Sequence, residues 1–402
     1  MTRLRTGPPG ISLPVEAQLL LACSHATTNP DLERRIIALL REPLDWDRLV
    51  DLAYQNAVTP LLYSHLRHLA ADGIPTDVFD RLASFYRENG RRNLILSAEL
   101  LRLLALFESC GISAIAYKGP VLAIMYGDLA LREFDDLDIL LRPSDMRVAR
   151  ALVLECGYRS HIELSATQDA AYLRSHHALG FVSADGRVDI ELHHRIRPEF
   201  FGFPLDTQEV WARSQMVRMG GRELRSLSKT DLLLILSAHG TAHCWDRLSW
   251  ICDIAELVRR DKDVDWENLH RTARILGSGR MLRLALILAR DLLGASVPPR
   301  VEEQIDRDRI GADLARQVSR SLFGEASEGL HGMRRILFQL RARERSRDRW
   351  RYCVLLIITP NERDWQMVEL PGLFTFLYYL LRPLRVSAGF LARYLRHGLG
   401  RE

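Results

Sequence analysis

Residues 135–141 read Asp135-Asp136-Leu137-Asp138-Ile139-Leu140-Leu141, and this stretch decides the predicted fold. The apolar run is typical of a buried strand, and Asp136 and Asp138 share one face at its head because side chains alternate along a strand. Two neighbouring carboxylates repel each other unless a cation neutralises them, and Mg²⁺ or Mn²⁺ suits oxygen ligands. The stretch therefore predicts a strand that carries a divalent-metal site.

A basic turn precedes this strand. Ile112–Tyr117 predicts a short strand, Lys118-Gly119-Pro120 ends it, and Val121–Tyr126 predicts one or two helical turns. A glycine at such a turn lets a phosphate approach the backbone and the helix N-terminus. Lys118, one of only three lysines in the chain, and Arg132 would supply positive charge to the phosphates.

A predicted hairpin follows the acidic strand. Its strands are His177–Ser183 and Arg187–His193, and the Asp185-Gly186 pair between them is a strong turn signal. Asp189 and Glu191 alternate along the second strand, so either could bring a third carboxylate to the metal site. Three carboxylates can hold two divalent ions roughly 4 Å apart, which is an arrangement used for in-line displacement at phosphorus.

These motifs resemble the signature of the nucleotidyltransferase superfamily with the DNA polymerase beta-like fold, and within it a bacterial family of largely uncharacterised nucleotidyltransferases. The matching residues are Tyr117-Lys118-Gly119, Tyr126-Gly127, Leu131-Arg132 and Asp135–Leu141, with Leu44-Asp45-Trp46 upstream and Glu191-Leu192-His193-His194, His239, His243 and Asp253 downstream. The superfamily usually has Gly-Ser or Gly-Gly at the phosphate turn. This chain has Gly119-Pro120, and proline has no N–H to give to a phosphate.

The resemblance implies an enzyme that moves a nucleoside monophosphate from an NTP to an acceptor hydroxyl or phosphate, with Mg²⁺ or Mn²⁺ as cofactor and pyrophosphate as product. The implied catalytic residues and metal ligands are Asp136, Asp138 and Glu191, with Asp189 as a further metal ligand. The implied nucleotide-binding residues are Lys118, Gly119 and Arg132. Glu191 is favoured over Asp189 because it stands two residues before His193, matching an acid-x-His arrangement of the family on this strand.

The predicted fold class is α+β, with a nucleotidyltransferase core that has a small mixed sheet, flanked by helical regions at both ends. We predict an N-terminal helical region at 1–92, the core at 93–225, a helical domain that closes the cleft at 226–295 and a C-terminal helical region at 296–402. Separate helices are predicted at Thr76–Tyr86 and Asn93–Ser109.

Composition excludes several classes of function. The chain carries 55 Lys plus Arg against 51 Asp plus Glu, so it should have no general affinity for nucleic acid. Six cysteines without a CxxC pair indicate reduced thiols and a cytoplasmic protein. No apolar run approaches the roughly 20 residues needed to span a bilayer.

Two further segments leave alternatives open. His239 and His243 would share a helix face, either as metal ligands with Cys244 or Cys252 or, as we prefer, as polar groups that face the cleft. Phe374–Pro383 mixes aromatic residues, leucines and arginines, so it either packs on the protein, which we prefer, or makes a peripheral membrane contact.

The acceptor is open between a small molecule, a peptide and a protein, and the oligomeric state is also open. Two other functions compete with the enzyme. One is a nucleotide-binding accessory protein that transfers weakly, which Pro120 favours. The other is a toxin-like protein whose partner completes the site.

Overall fold

Helices make up most of this protein, and the strands are few and short. The computed structural model describes residues 12–69, 73–260, 264–324 and 330–387. The predicted α+β class is confirmed.

Helices α1 to α18 span Val15–Cys23, Pro30–Leu39, Trp46–Gln55, Thr59–Leu69, Thr76–Ser109, Pro120–Ala123, Met146–Glu155, Ala166–Ser175, Thr207–Arg213, Lys229–Ala242, Leu248–Arg260, Trp266–Leu276, Gly279–Leu293, Pro299–Arg307, Arg309–Phe323, Gly332–Ala342, Ser346–Ile358 and Glu362–Met367. Strands β1 to β7 span Ala114–Ala116, Asp136–Leu141, Arg159–Ser160, Ala178–Val182, Asp189–His193, Gln215–Met219 and Arg222–Ser226.

The chain divides into two units. The first comprises the chain up to Asp138 together with Gln208–Glu344, and the second comprises Ile139–Thr207 and the chain from Arg345 onward. The division therefore falls inside β2. This two-part division follows contacts in space, whereas the four predicted regions follow the order of the chain and stay predictions.

A five-stranded sheet has the order β1-β2-β5-β4-β3. Strands β4 and β5 are antiparallel, with Phe181 opposite Ile190 and Gly180 opposite Glu191. This antiparallel pairing confirms the predicted hairpin. Gly186 lies in its turn with a φ of +72°. A second hairpin, β6 and β7, was not predicted from the sequence, although Gly220-Gly221 supplies its left-handed turn residues.

Helix α5 corrects a prediction. The two helices predicted at 76–86 and 93–109 are one continuous helix, Thr76–Ser109. Gly90 permits close packing here, since an added Cβ would lie 3.1 Å from the Cβ of Ala130. On either side of it, Asn89 donates to the carbonyl of Ala130 at 2.8 Å and Asn93 to that of Arg132 at 2.8 Å. These contacts offset the roughly 1 kcal/mol that a glycine costs inside a helix.

Two helix starts show what local signals can predict. Ser228 precedes an apolar helical pattern from Thr230, which predicts an N-cap, and its side chain caps α10 by accepting a hydrogen bond from the N–H of Asp231. The sequence likewise predicts that Ser144 caps a helix from about Asp145, but α7 begins at Met146 and Asp145 occupies the cap position. Ser144 instead donates to the Asp145 carboxylate at 2.9 Å.

The segment Phe374–Pro383 packs only in part. Tyr378 is buried against Trp365 at 4.0 Å between ring centroids. Phe374, Phe376 and Leu380 are each more than half exposed. The predicted packing on the protein is therefore seen at Tyr378 but not at these three side chains. Within the described ranges, no helix is both long and apolar enough to cross a bilayer.

Candidate functional site

Lys118 and Asp138 form an ion pair in the first unit. Lys118 lies just beyond β1 and Asp138 lies in β2, and 2.9 Å separates the ammonium Nζ from Oδ1. The Asp138 side chain is fully buried and that of Lys118 is 14% exposed. The sequence predicts a cation beside the carboxylates of Asp136 and Asp138. For Asp138, the ammonium group of Lys118 supplies this positive charge.

The turn at Gly119 requires a glycine. Its φ is +50°, and an added Cβ would lie 2.8 Å from the backbone carbonyl of Asp136. Pro120 then opens the short helix α6. The turn predicted to approach a phosphate therefore also packs tightly against the strand that carries the acids.

Arg132 is held away from solvent by a residue distant in sequence. Its Nε and Nη2 donate to the two carboxylate oxygens of Asp253 in α11, at 2.8 and 2.9 Å. Tyr126 donates its hydroxyl to the same carboxylate at 2.8 Å. Burial lowers the pKa of Arg132, but the charge and hydrogen bonds of Asp253 raise it by more, so the pKa lies above its ordinary value.

This geometry revises the role predicted for Arg132. Two of its three nitrogens bind Asp253, and Nη1 lies 3.5 Å from the carbonyl of Gly119. Arg132 consequently joins the phosphate turn to α11, and its contact with a phosphate stays a prediction. Asp253 had no assigned role in the sequence because nothing local to it identifies its partner.

The two candidate third carboxylates, both in the second unit, have different partners. On β5, Glu191 lies 3.1 Å from Nε2 of the buried His193. Asp189 lies 3.1 Å from Nε2 of His161, in a pair whose side chains are both about 40% exposed. The two carboxylates are about equally exposed, and they differ in their partner, which is a buried imidazole for Glu191 and a partly exposed one for Asp189. Glu191 stays the preferred prediction.

A cavity of about 330 Å³ in the first unit brings several predicted residues together. Its lining residues come from the phosphate turn, the acidic loop before β2 and the junction of α10 and α11. They are Ala57, Lys118, Gly119, Arg132, Glu133, Phe134, Asp135, Asp136, Leu236, His239, His243, Asp246, Arg247, Ser249, Trp250 and Asp253.

Glu133 is a titratable group in this lining that sequence reasoning missed. Burial is the main cause that raises its pKa to about 7, and the charge of Asp135 raises it too, while a hydrogen bond from the Thr59 N–H opposes both. A carboxyl group with such a pKa can take up or release a proton near neutral pH. The sequence shows three acids in four positions but not which one is buried.

His239 and His243 line the cavity, and within the described part of the chain neither of them belongs to a cluster of metal-ligand atoms. The Cys244 Sγ is instead 3.7 Å from Nε2 of Gln339, and burial raises the pKa of Cys244 to about 11. The Cys252 thiol donates to the carbonyl of Ser24. The geometry therefore favours the preferred prediction of polar groups at a cavity over that of metal ligands.

Comparison with known proteins assigns the chain to a family. A family model described as uncharacterised nucleotidyltransferase matches residues 42–294, and the chain belongs to this family. One solved structure with similarity is an antigenic nucleotidyltransferase-like protein from Paracoccidioides brasiliensis, at 12% identity and a TM-score of 0.31, over 53% of this chain and 96% of that chain. No curated protein sequence matches the chain significantly.

Proposed function

We propose that this protein transfers a nucleoside monophosphate from an NTP to an acceptor hydroxyl or phosphate, with a divalent cation as cofactor. The observation that carries the proposal is the Lys118–Asp138 pair beside the Gly119 turn, in a chain of nucleotidyltransferase family. It combines a buried acid, a nearby ammonium and a backbone turn, which are the groups that a metal-bound triphosphate needs.

The side chains present fit a divalent cation. Asp136 and Asp138 lie on β2 in the first unit, and Glu191 and His193 lie on β5 in the second unit. Asp138, Glu191 and His193 have the ligand types of a metal site. Carboxylates suit Mg²⁺ and Mn²⁺, whereas an imidazole nitrogen suits a transition metal. Such an ion would neutralise charge on the transferred phosphoryl group.

The residues of this chain would then divide the remaining work. Lys118 would bind the β- and γ-phosphates and stabilise the pyrophosphate as it leaves. Glu191 would accept the proton of the acceptor hydroxyl, whose oxygen forms the new bond to the α-phosphorus. The bond from that phosphorus to the bridging oxygen breaks, and its electron pair leaves with the pyrophosphate. Arg132, fixed by Asp253, would hold the shape of the turn.

A second candidate is a nucleotide-binding accessory protein with weak transfer. Two observations favour it: Pro120 offers no N–H at the turn, and the Lys118 ammonium already neutralises Asp138. A partner that completes the site is a related possibility. The acceptor would be a small molecule, a peptide or a protein, and free cysteines at all six described positions support our proposal of a cytoplasmic location.

Pyrophosphate release measures the proposed reaction directly. The protein is incubated with each NTP, Mg²⁺ or Mn²⁺ and a panel of hydroxyl acceptors, and parallel samples contain a chelator. We expect cation-dependent pyrophosphate and a labelled acceptor. Asp47→Asn is the control variant, since Asp47 is an exposed residue of α3. NTP binding without pyrophosphate under every condition would support the accessory protein instead.

A further inference from the structure

The cavity contains a ring cluster for which the transfer reaction gives no role. His239 lies in α10, His243 caps its C-terminus and Trp250 lies in α11. Ring centroids are 4.7 Å apart for the two histidines, 5.1 Å for His239 and Trp250, and 5.2 Å for His243 and Trp250. The planes meet at 42°, 82° and 56°, so the rings form a concave corner and not a stack.

We propose that this ring cluster binds the nucleobase of the NTP. The inference rests on the proposed function, in which Lys118 binds the phosphates of the same molecule. Both groups line one cavity, and a nucleotide is a ligand that carries both a polyanion and a flat ring. The cavity volume of about 330 Å³ lies within the usual range for small-molecule sites.

The turn that carries the cluster has a strained backbone. Cys244 and Trp245 are consecutive residues with φ values of +57° and +56°. For residues other than glycine this conformation costs of order 1 kcal/mol or more and persists only where the surroundings enforce it. Trp245 provides that enforcement, because it is fully buried against Gly240, where an added Cβ would lie 2.5 Å from its ring.

The fixed turn sets the positions of His243 and Trp250 before any ligand arrives. A rigid aromatic surface loses little entropy when a ring binds to it. Glu133 and Ser249 in the same lining offer hydrogen-bonding groups to the edge of a bound ring. The arrangement is therefore suited to a heteroaromatic ring that has both a face and polar edges.

Calorimetry with three probes separates the two halves of the cavity. The probes are an NTP, inorganic triphosphate and the matching nucleoside, each titrated with a divalent cation into the full chain. Trp250→Leu removes the largest ring and Trp250→Phe keeps an aromatic face. Trp350→Leu is the control, because Trp350 is 70% exposed and lies in α17, far along the chain from the cavity residues.

We expect Trp250→Leu to weaken NTP and nucleoside binding by roughly 5- to 150-fold, the equivalent of about 1–3 kcal/mol of base–aromatic stacking. Triphosphate affinity should stay within twofold, and Trp250→Phe should restore most of the loss. Equal affinity of the wild type and a folded Trp250→Leu variant for the nucleoside and the NTP would overturn the inference.

The probes also distinguish this failure from that of the proposed function. If triphosphate does not bind the wild type, the phosphate site is wrong, and the nucleoside titration still decides the ring site. Trp250→Leu could instead weaken the binding of an aromatic acceptor and leave nucleoside binding unchanged. In that case the cluster binds the acceptor, and the assignment to the nucleobase is overturned.

Discussion

Lys118 Nζ lies 2.9 Å from Oδ1 of the fully buried Asp138, so an ion pair stands where the sequence predicted a metal-bound carboxylate. A buried carboxylate is costly without a partner, and the lysine reduces that cost. For the proposed reaction, the same ammonium must also reach the triphosphate. In the proposed reaction, Lys118 therefore pairs with Asp138 before the nucleotide binds and with the triphosphate afterwards.

Lys118→Ala should weaken triphosphate binding by roughly 10- to 150-fold, because a charge-assisted hydrogen bond to phosphate contributes about 1.5–3 kcal/mol. Titration of inorganic triphosphate measures the loss, and circular dichroism checks that the variant folds. Lys229→Ala is the matched control, since Lys229 is an exposed lysine at the start of α10. Unchanged affinity in Lys118→Ala would limit Lys118 to a structural role beside Asp138.

Glu191→Gln should lower kcat at least about 100-fold, the lower end of a general-base contribution. Asp189→Asn should have a milder effect, because Asp189 pairs with the partly exposed His161 and not with the buried His193. Steady-state rates of pyrophosphate release compare the two variants. The opposite ranking would move the site two residues along β5.

Removing Asp253 should destabilise the fold strongly. Its carboxylate binds two nitrogens of the buried Arg132, and breaking one partner of a buried ion pair costs about 3–5 kcal/mol. Chemical denaturation of Asp253→Leu measures this loss. The double variant Arg132→Met, Asp253→Leu should recover part of it because no unpaired charge remains; a double variant less stable than the single one would argue against this account of the pair.

Glu133 should make stability depend on pH. Its pKa is about 7 in the folded protein, mainly because of burial, against an ordinary value of 4.5. The folded state therefore holds a proton that the unfolded state releases, so the contribution of Glu133 is full below pH 4.5 and is lost as the pH rises to about 7.

Glu133→Gln removes this titration while it can still accept the hydrogen bond from Thr59. Urea unfolding of both proteins across this pH range should give a difference that changes by at most about 3 kcal/mol, in favour of the variant at higher pH. Parallel curves for the two proteins would mean that Glu133 has the same pKa in the folded and the unfolded state, which would contradict this account.

Local chemistry explains which parts of the fold the sequence predicts. Gly186 closes a tight turn and Ser228 caps a helix through contacts within a few residues. The continuity of α5 could not be predicted in this way, because Gly90 packs against Ala130, which is 40 positions away in the sequence. A glycine that ends a helix and one that admits a neighbouring loop look alike in sequence.

The candidate site divides in the same way. Alternation along one strand predicts that Asp136 and Asp138 share a face, and the scarcity of lysine together with the turn at Gly119 points to Lys118. Arg132 and Asp253 are 121 positions apart, and no periodicity connects residues at such a distance. The buried position of Glu133 likewise depends on the packing of its loop, which composition does not specify.

The central claim is that Asp136 and Asp138 make NTP binding depend on a divalent cation. Calorimetric titration of Mg·NTP into the wild type and into the double variant Asp136→Asn, Asp138→Asn tests it most directly. We predict cation-dependent binding for the wild type, none for a folded double variant, and no pyrophosphate release from that variant. Full Mg·NTP affinity and full turnover in the double variant would contradict the account.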